Sequence, residues 1–142
     1  PKDYLPMWLR EREIETRQVE PVDLLKAEKL PPYRSTWMKP TGKLPADERI
    51  HQALLLYVSD MGLLGAAVNP HEVNFMSKKF QSASLDHVMW FHGKVNFNNW
   101  ILHHMHSPIS QNARGFSRGS IYTKSGKLVA STAQEGLMRI WD

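Results

Sequence analysis

The stretch Ile50 to Asn69, followed by Pro70, limits the possible folds more than any other part of the chain. Ile50, Ala53, Leu54, Tyr57, Val58, Met61 and Leu64 recur at helical i, i+3, i+4, i+7 spacing. Leu55, Leu56, Leu63 and Val68 fill most of the remaining circumference, so this helix should be wrapped by protein rather than laid on a surface. Asp47 suits the N-cap, Glu48 complements the dipole of the first turn, and Pro70 stops the helix. One carboxylate, Asp60, falls in the apolar belt. Aspartate is rarely buried unless paired. Asp60 therefore either marks a site or points outward near the helix end.

The flanks read as strands. Residues 1–12 form a lead-in, and Glu13 to Glu20 alternates weakly, as an edge strand with charged side chains would. Tyr33 to Lys39 is a second short strand, closed by Pro40-Thr41-Gly42. After a polar connection over 71–82 the chain turns to strands at Ser82 to His92, Trp100 to Ser107 (ended by Pro108), Ala113 to Thr123 and Leu128 to Ile140. The last two are joined by a Lys124-Ser125-Gly126-Lys127 hairpin turn. Strict alternation in the first of these puts Ser84, Asp86, Val88 and Trp90 on one face, and Leu85, His87, Met89 and Phe91 on the other. Two weak strands, one long apolar helix and a meander predict an α+β domain, an antiparallel sheet curled around one helix.

A length of 142 residues suits one domain, residues 1–142. No apolar run is read as long enough for a membrane span, and no signal-peptide pattern is present. The absence of Cys excludes disulfides, thiolate metal sites and thiol nucleophiles. The first residue is Pro1 rather than Met, which fits a fragment or a processed product.

Three polar residues lie in otherwise apolar elements: Asp60 in the helix, Ser84 in the strand after it, and Gln134 in the last strand. A carboxylate can take a proton from water, and a hydroxyl and an amide can hold that water in place. The commoner role for such residues is to satisfy backbone groups. Seven His invite a metal reading, but His104 and His106 share a strand face while His103 turns away, so no metal site is expected. The net charge of +4 suits an anionic ligand. Arg114 and Arg118, on one strand face between glycines, are the candidate contacts for coenzyme phosphates. The other basic residues read as a solvated rim, and nucleic-acid binding has no module pattern to support it.

Four segments together resemble the C-terminal half of acyl-CoA thioesterase II, the double-hotdog type of bacteria and peroxisomes. They are Tyr57-Val58-Ser59-Asp60, Ser84-Leu85-Asp86-His87-Val88-Met89-Trp90-Phe91-His92, Ala113-Arg114-Gly115-Phe116-Ser117-Arg118-Gly119, and Leu128 through Arg139. The resemblance implies a hotdog fold, a sheet around one central helix, and hydrolysis of fatty acyl-CoA to free acid and coenzyme A. It implies that the family's Asp, hydroxyl and Gln triad falls on Asp60, Ser84 and Gln134, with backbone N–H groups holding the oxyanion. No cofactor is implied, because coenzyme A is part of the substrate.

The family usually has Thr where this chain has Ser84, and Gly93-Lys94 stands where Arg-Pro is usual. Relatives carry two hotdogs per chain, so this one is expected to pair with a copy of itself or with an N-terminal half, the acyl tunnel lying between them. A peroxisomal or cytoplasmic setting is implied, though the C-terminus Ile140-Trp141-Asp142 carries no peroxisomal signal. Two other readings exist. In one, the domain is a non-catalytic acyl-binding or assembly module. In the other it is a hotdog hydratase, suggested by Asn69-Pro70-His71 but opposed by the distance of Asp60 from that motif.

Overall fold

The computed structural model describes residues 13–23 and 25–141. The expected lead-in over 1–12 lies outside the described residues. Among the described residues seven strands form one antiparallel sheet: β1 (Ile14–Gln18), β2 (Tyr33–Pro40), β3 (Phe80–Ser84), β4 (Val88–Phe91), β5 (Ile101–Gln111), β6 (Arg114–Thr123) and β7 (Leu128–Ile140). Their spatial order is β1-β2-β5-β6-β7-β3, with β4 continuing alongside β7. The expected edge strand is β1, which among the described residues pairs with β2 alone. Two helices, α1 (Glu48–Ser59) and α2 (Leu63–Val68), lie between β2 and β3 in sequence. The sheet curls around this helical element, as the hotdog expectation required.

The helix differs from its expected form in two ways. It is broken: Gly62 adopts φ +85°, and the chain restarts as α2. Only glycine takes that conformation readily. It is also half-wrapped. All of α2 is buried against the sheet, whereas α1 buries only His51, Leu55, Val58 and Ser59. Ile50, Leu56, Tyr57 and Met61 remain exposed, because nothing in the described residues covers that side. The N-cap is as expected, with Asp47 accepting from the Arg49 backbone N–H at 3.0 Å. Contrary to the sequence reading, Glu48–Val68 is by length and composition apolar enough to cross a membrane. In this fold it is the core helix of a sheet.

Two strand boundaries also change. Pro108 does not end β5, which runs on to Gln111 through a register shift between His106 and Ile109. A bulge is where a strand can hold proline, since no ladder N–H is needed there. Ser107 closes the irregularity by donating to the Phe116 carbonyl at 2.7 Å. The segment read as one strand from Ser82 to His92 is two. Ser84 pairs with Gly136 and Val88 with Ala133, so Leu85, Asp86 and His87 stand opposite only Gln134 and Glu135. The Leu85 and Asp86 N–H groups both point at the Glu135 carbonyl, and Asp86 Oδ1 accepts the Glu135 N–H at 2.7 Å. One surplus residue reverses the facing of everything beyond it.

The helix-facing side of the sheet holds the core. Met38, Ile101, Ile121, Val129 and Ala130 pack with Leu55 and Val58 of α1 and with Phe97. The same face carries an unusual amount of buried polarity: His103, Ser117, Thr132 and Gln134 are all at most 2 % exposed. At one point the sheet backbone itself takes the helix. A Cβ on Gly115 would stand 2.5 Å from the Ala67 Cβ and 2.5 Å from Met138 Sδ, so α2 sits as deep as a missing side chain allows.

Candidate active site

The helix break, the strand bulge and β7 bring Asp60, Ser84 and Gln134 together. Asp60 is the C-cap of α1, just before Gly62 turns the chain. Ser84 is the last residue of β3, and Gln134 lies on the concave face of β7. Ser84 Oγ donates to Asp60 Oδ1 at 2.8 Å, and Gln134 Nε2 donates to Ser84 Oγ at 2.9 Å. Asp60 is exposed near the helix end, as one of its two alternatives has it, and its carboxylate accepts from Ser84. The trio runs from an exposed carboxylate to an amide that is 1 % exposed.

The chain of hydrogen bonds continues inward. Gln134 Oε1 lies 2.6 Å from His87 Nδ1, and His87 Nε2 lies 2.8 Å from Ser59 Oγ. Ser59 Oγ is also 2.8 Å from the Leu56 carbonyl. Strict alternation places His87 on the opposite face from Ser84; in the structure both lie on the same face. The surplus residue at 85–87 brings both to the helix side. Alternation alone hides such a shift. The available sign was Leu85-Asp86-His87 itself, an Asp able to cap a backbone N–H in the middle of an apolar strand.

A cavity of about 440 Å³ opens beside Asp60 and Ser84. Thr36 and Met38 of β2, Leu64 of α2 and Phe75 form much of its wall, and Arg34 lies at its edge. Burial lowers the Arg34 pKa from its ordinary value. Arg34 donates to the Asn69 side-chain oxygen, while the Asn69 amide nitrogen donates to the Pro31 and Tyr33 carbonyls, each at 3.0 Å. Asn69 thus ties α2 to β2, and the Asn69-Pro70-His71 segment is occupied with structure rather than aimed at Asp60.

Arg114 and Arg118 are not brought to the trio. Both project from the outer face of β6, opposite to Ser117, whose register partner is Gln134. Arg114 is 3.6 Å from Glu135, and the Arg118 guanidinium lies 5.5 Å over the Phe116 ring. The histidines divide as their spacing predicted. His104 and His106 stack on the outer face with centroids 6.5 Å apart, and His103 is fully buried on the inner one. Desolvation, with smaller effects from His87 and His104, pushes His103 down to about 3. It is a neutral ring whose Nδ1 has no partner among the described residues. No group of three or more His, Asp or Glu side chains among the described residues could hold a metal ion.

Comparison with known proteins gives a consistent result. A family model described as acyl-CoA thioesterase matches residues 8–137. Acyl-CoA thioesterase 2 of Haemophilus influenzae is 40% identical over 111 residues, 78% of this chain and 39% of that protein. Acyl-coenzyme A thioesterase 8 of Mus musculus is 35% identical over 132 residues, 89% of this chain and 39% of that protein. Among solved structures, an acyl-CoA thioesterase II from Mycobacterium marinum superposes with a TM-score of 0.78 at 33% identity, covering 100% of this chain and 54% of that one. The chain spans 39% of the length of the two relatives and about half of that structure.

Proposed function

Since the chain belongs to the acyl-CoA thioesterase family, we propose that it carries the water-activating site of an enzyme that hydrolyses fatty acyl-CoA thioesters. The observation behind this reading is the hydrogen-bonded line from Asp60 through Ser84 to Gln134, which opens on a cavity of about 440 Å³. Asp60, exposed and acceptor-only as a carboxylate, takes a proton from a water molecule. Ser84 holds that water against the thioester carbonyl, and Gln134, buried behind it, holds Ser84 in place. The water oxygen bonds to the acyl carbon and the carbon–sulfur bond breaks. The proton taken by Asp60 passes to the departing thiolate, leaving a fatty acid and coenzyme A.

The same reading makes this chain one partner of a pair. Tyr57 at 67 % and Trp90 at 51 % exposure are large apolar side chains that a second hotdog would cover. Arg114 and Arg118, outward-facing on β6, would meet coenzyme phosphates approaching from that outer side. A peroxisomal or cytoplasmic setting would suit the reaction equally.

The test uses the chain in its paired assembly with acyl-CoA substrates of graded length. Asp60→Asn is expected to lower kcat by about 100-fold or more while the melting temperature holds. Preserved turnover in that variant would sink the proposal. A Gln134→Ala variant that lost stability but kept turnover would favour the non-catalytic acyl-binding reading instead.

A further inference from the structure

We propose that His87 is a positioning residue: its Nδ1–H fixes which end of the Gln134 amide faces Ser84. The functional part of this inference rests on the thioesterase reading; the geometric part does not.

The hydrogens can be assigned from one end of the line. An ionised Asp60 only accepts, and Ser84 has one hydroxyl hydrogen. That hydrogen goes to Asp60 Oδ1 at 2.8 Å. Ser84 Oγ is left with lone pairs, so its contact with Gln134 at 2.9 Å requires the amide nitrogen as donor. The amide oxygen must then face His87, where it sits 2.6 Å from Nδ1. Two acceptors do not approach that closely, so Nδ1 carries a hydrogen. Nε2 then accepts from Ser59 Oγ at 2.8 Å, in competition with the Leu56 carbonyl, also 2.8 Å away, for the one hydroxyl hydrogen.

A Gln side chain alone has no reason to prefer one amide orientation, because its two ends are nearly equal in size. Turned over, it would present oxygen to Ser84 and compete with Asp60 for the single hydroxyl hydrogen. His87, with its hydrogen on Nδ1, opposes this from the other side, since a ring N–H cannot bond to an amide N–H. Ser59 is fully buried and adjacent to Asp60 in sequence, so the same helix end holds both ends of the line.

Two measurements test this. Nitrogen-15 NMR of the histidine side chains, made without substrate, should find Nδ1 of His87 protonated; a bare Nδ1 with hydrogen only on Nε2 would overturn the assignment. Steady-state kinetics of the paired assembly should show His87→Leu lowering kcat about 100-fold with KM within about twofold, the scale expected of a misplaced reacting group. His87→Asn, whose amide N–H stands near the former Nδ1, should recover at least about tenfold of that loss. Unchanged kcat in His87→Leu, or equal damage in both variants, would refute the positioning role. Should His87→Leu not fold, the NMR result on the native protein decides. Full activity in Asp60→Asn would remove the thioesterase reading yet leave the protonated Nδ1 standing, so the two failures are distinguishable.

Discussion

His103 shows how a single side chain can set the acid limit of the fold. Its ring is buried without charge, and its pKa falls from about 6.5 to about 3. The unfolded chain therefore binds a proton that the folded one refuses. The stability this preserves is complete above pH 6.5 and is lost as pH falls toward 3. Urea unfolding at pH 5 should give a stability about 2 kcal/mol lower than at pH 7 from this residue alone, and His103→Leu should flatten that slope. An unchanged slope would mean the ring is protonated inside the fold. Ser84 is the second residue where a small change is informative. A Thr there keeps the hydroxyl and restricts its rotation, so Ser84→Thr should keep turnover within about tenfold, whereas Ser84→Ala should lower kcat by about 100-fold. At this scale the residue types of the trio were legible from sequence, because each is polar in an apolar setting. His87 was not, because its facing depends on one surplus residue that period-2 counting cannot detect.

Among the elements, the joint between α1 and α2 and the turn between β5 and β6 both depend on left-handed backbone. Gly62 at φ +85° has open space around it, the nearest atom to an added Cβ being Met105 Sδ at 3.9 Å. Gly62→Ala should therefore destabilise through backbone strain alone, by about 1 kcal/mol. The turn shows the reverse case. Asn112 and Ala113 take φ 52° and 57°, the two-residue hairpin geometry in which glycine normally fills the second place. Ala113→Gly should raise stability by about 0.5–1 kcal/mol, read as an upward shift in melting temperature; a fall would mean the Ala113 methyl has a packing role. The strands and the N-cap were readable from composition and spacing. The helix break was not, since Gly62 lies inside an unbroken apolar pattern and an isolated glycine in a helix is usually tolerated. Pro108 misled for a related reason: proline ends a regular strand, and nothing local says that this one is bulged.

For the whole molecule, the uncovered side of α1 and the outward residues of β4 are where a second hotdog is expected. Placing charge there, as in a Tyr57→Glu, Trp90→Glu double variant, should move the sedimentation coefficient to that of the unpaired chain. Unaltered sedimentation would place the pairing surface elsewhere. The deep seat of α2 carries a different consequence. Leu63 N–H points back at the Asp60 carbonyl at 3.4 Å, which links the start of the short helix to the residue that bears the carboxylate. The seating of the helix that follows the acid is thus set by a bare spot of strand at Gly115. One methyl added there would meet the Ala67 Cβ at 2.5 Å, so under the proposed function Gly115→Ala should cost turnover although Asp60, Ser84 and Gln134 are all retained.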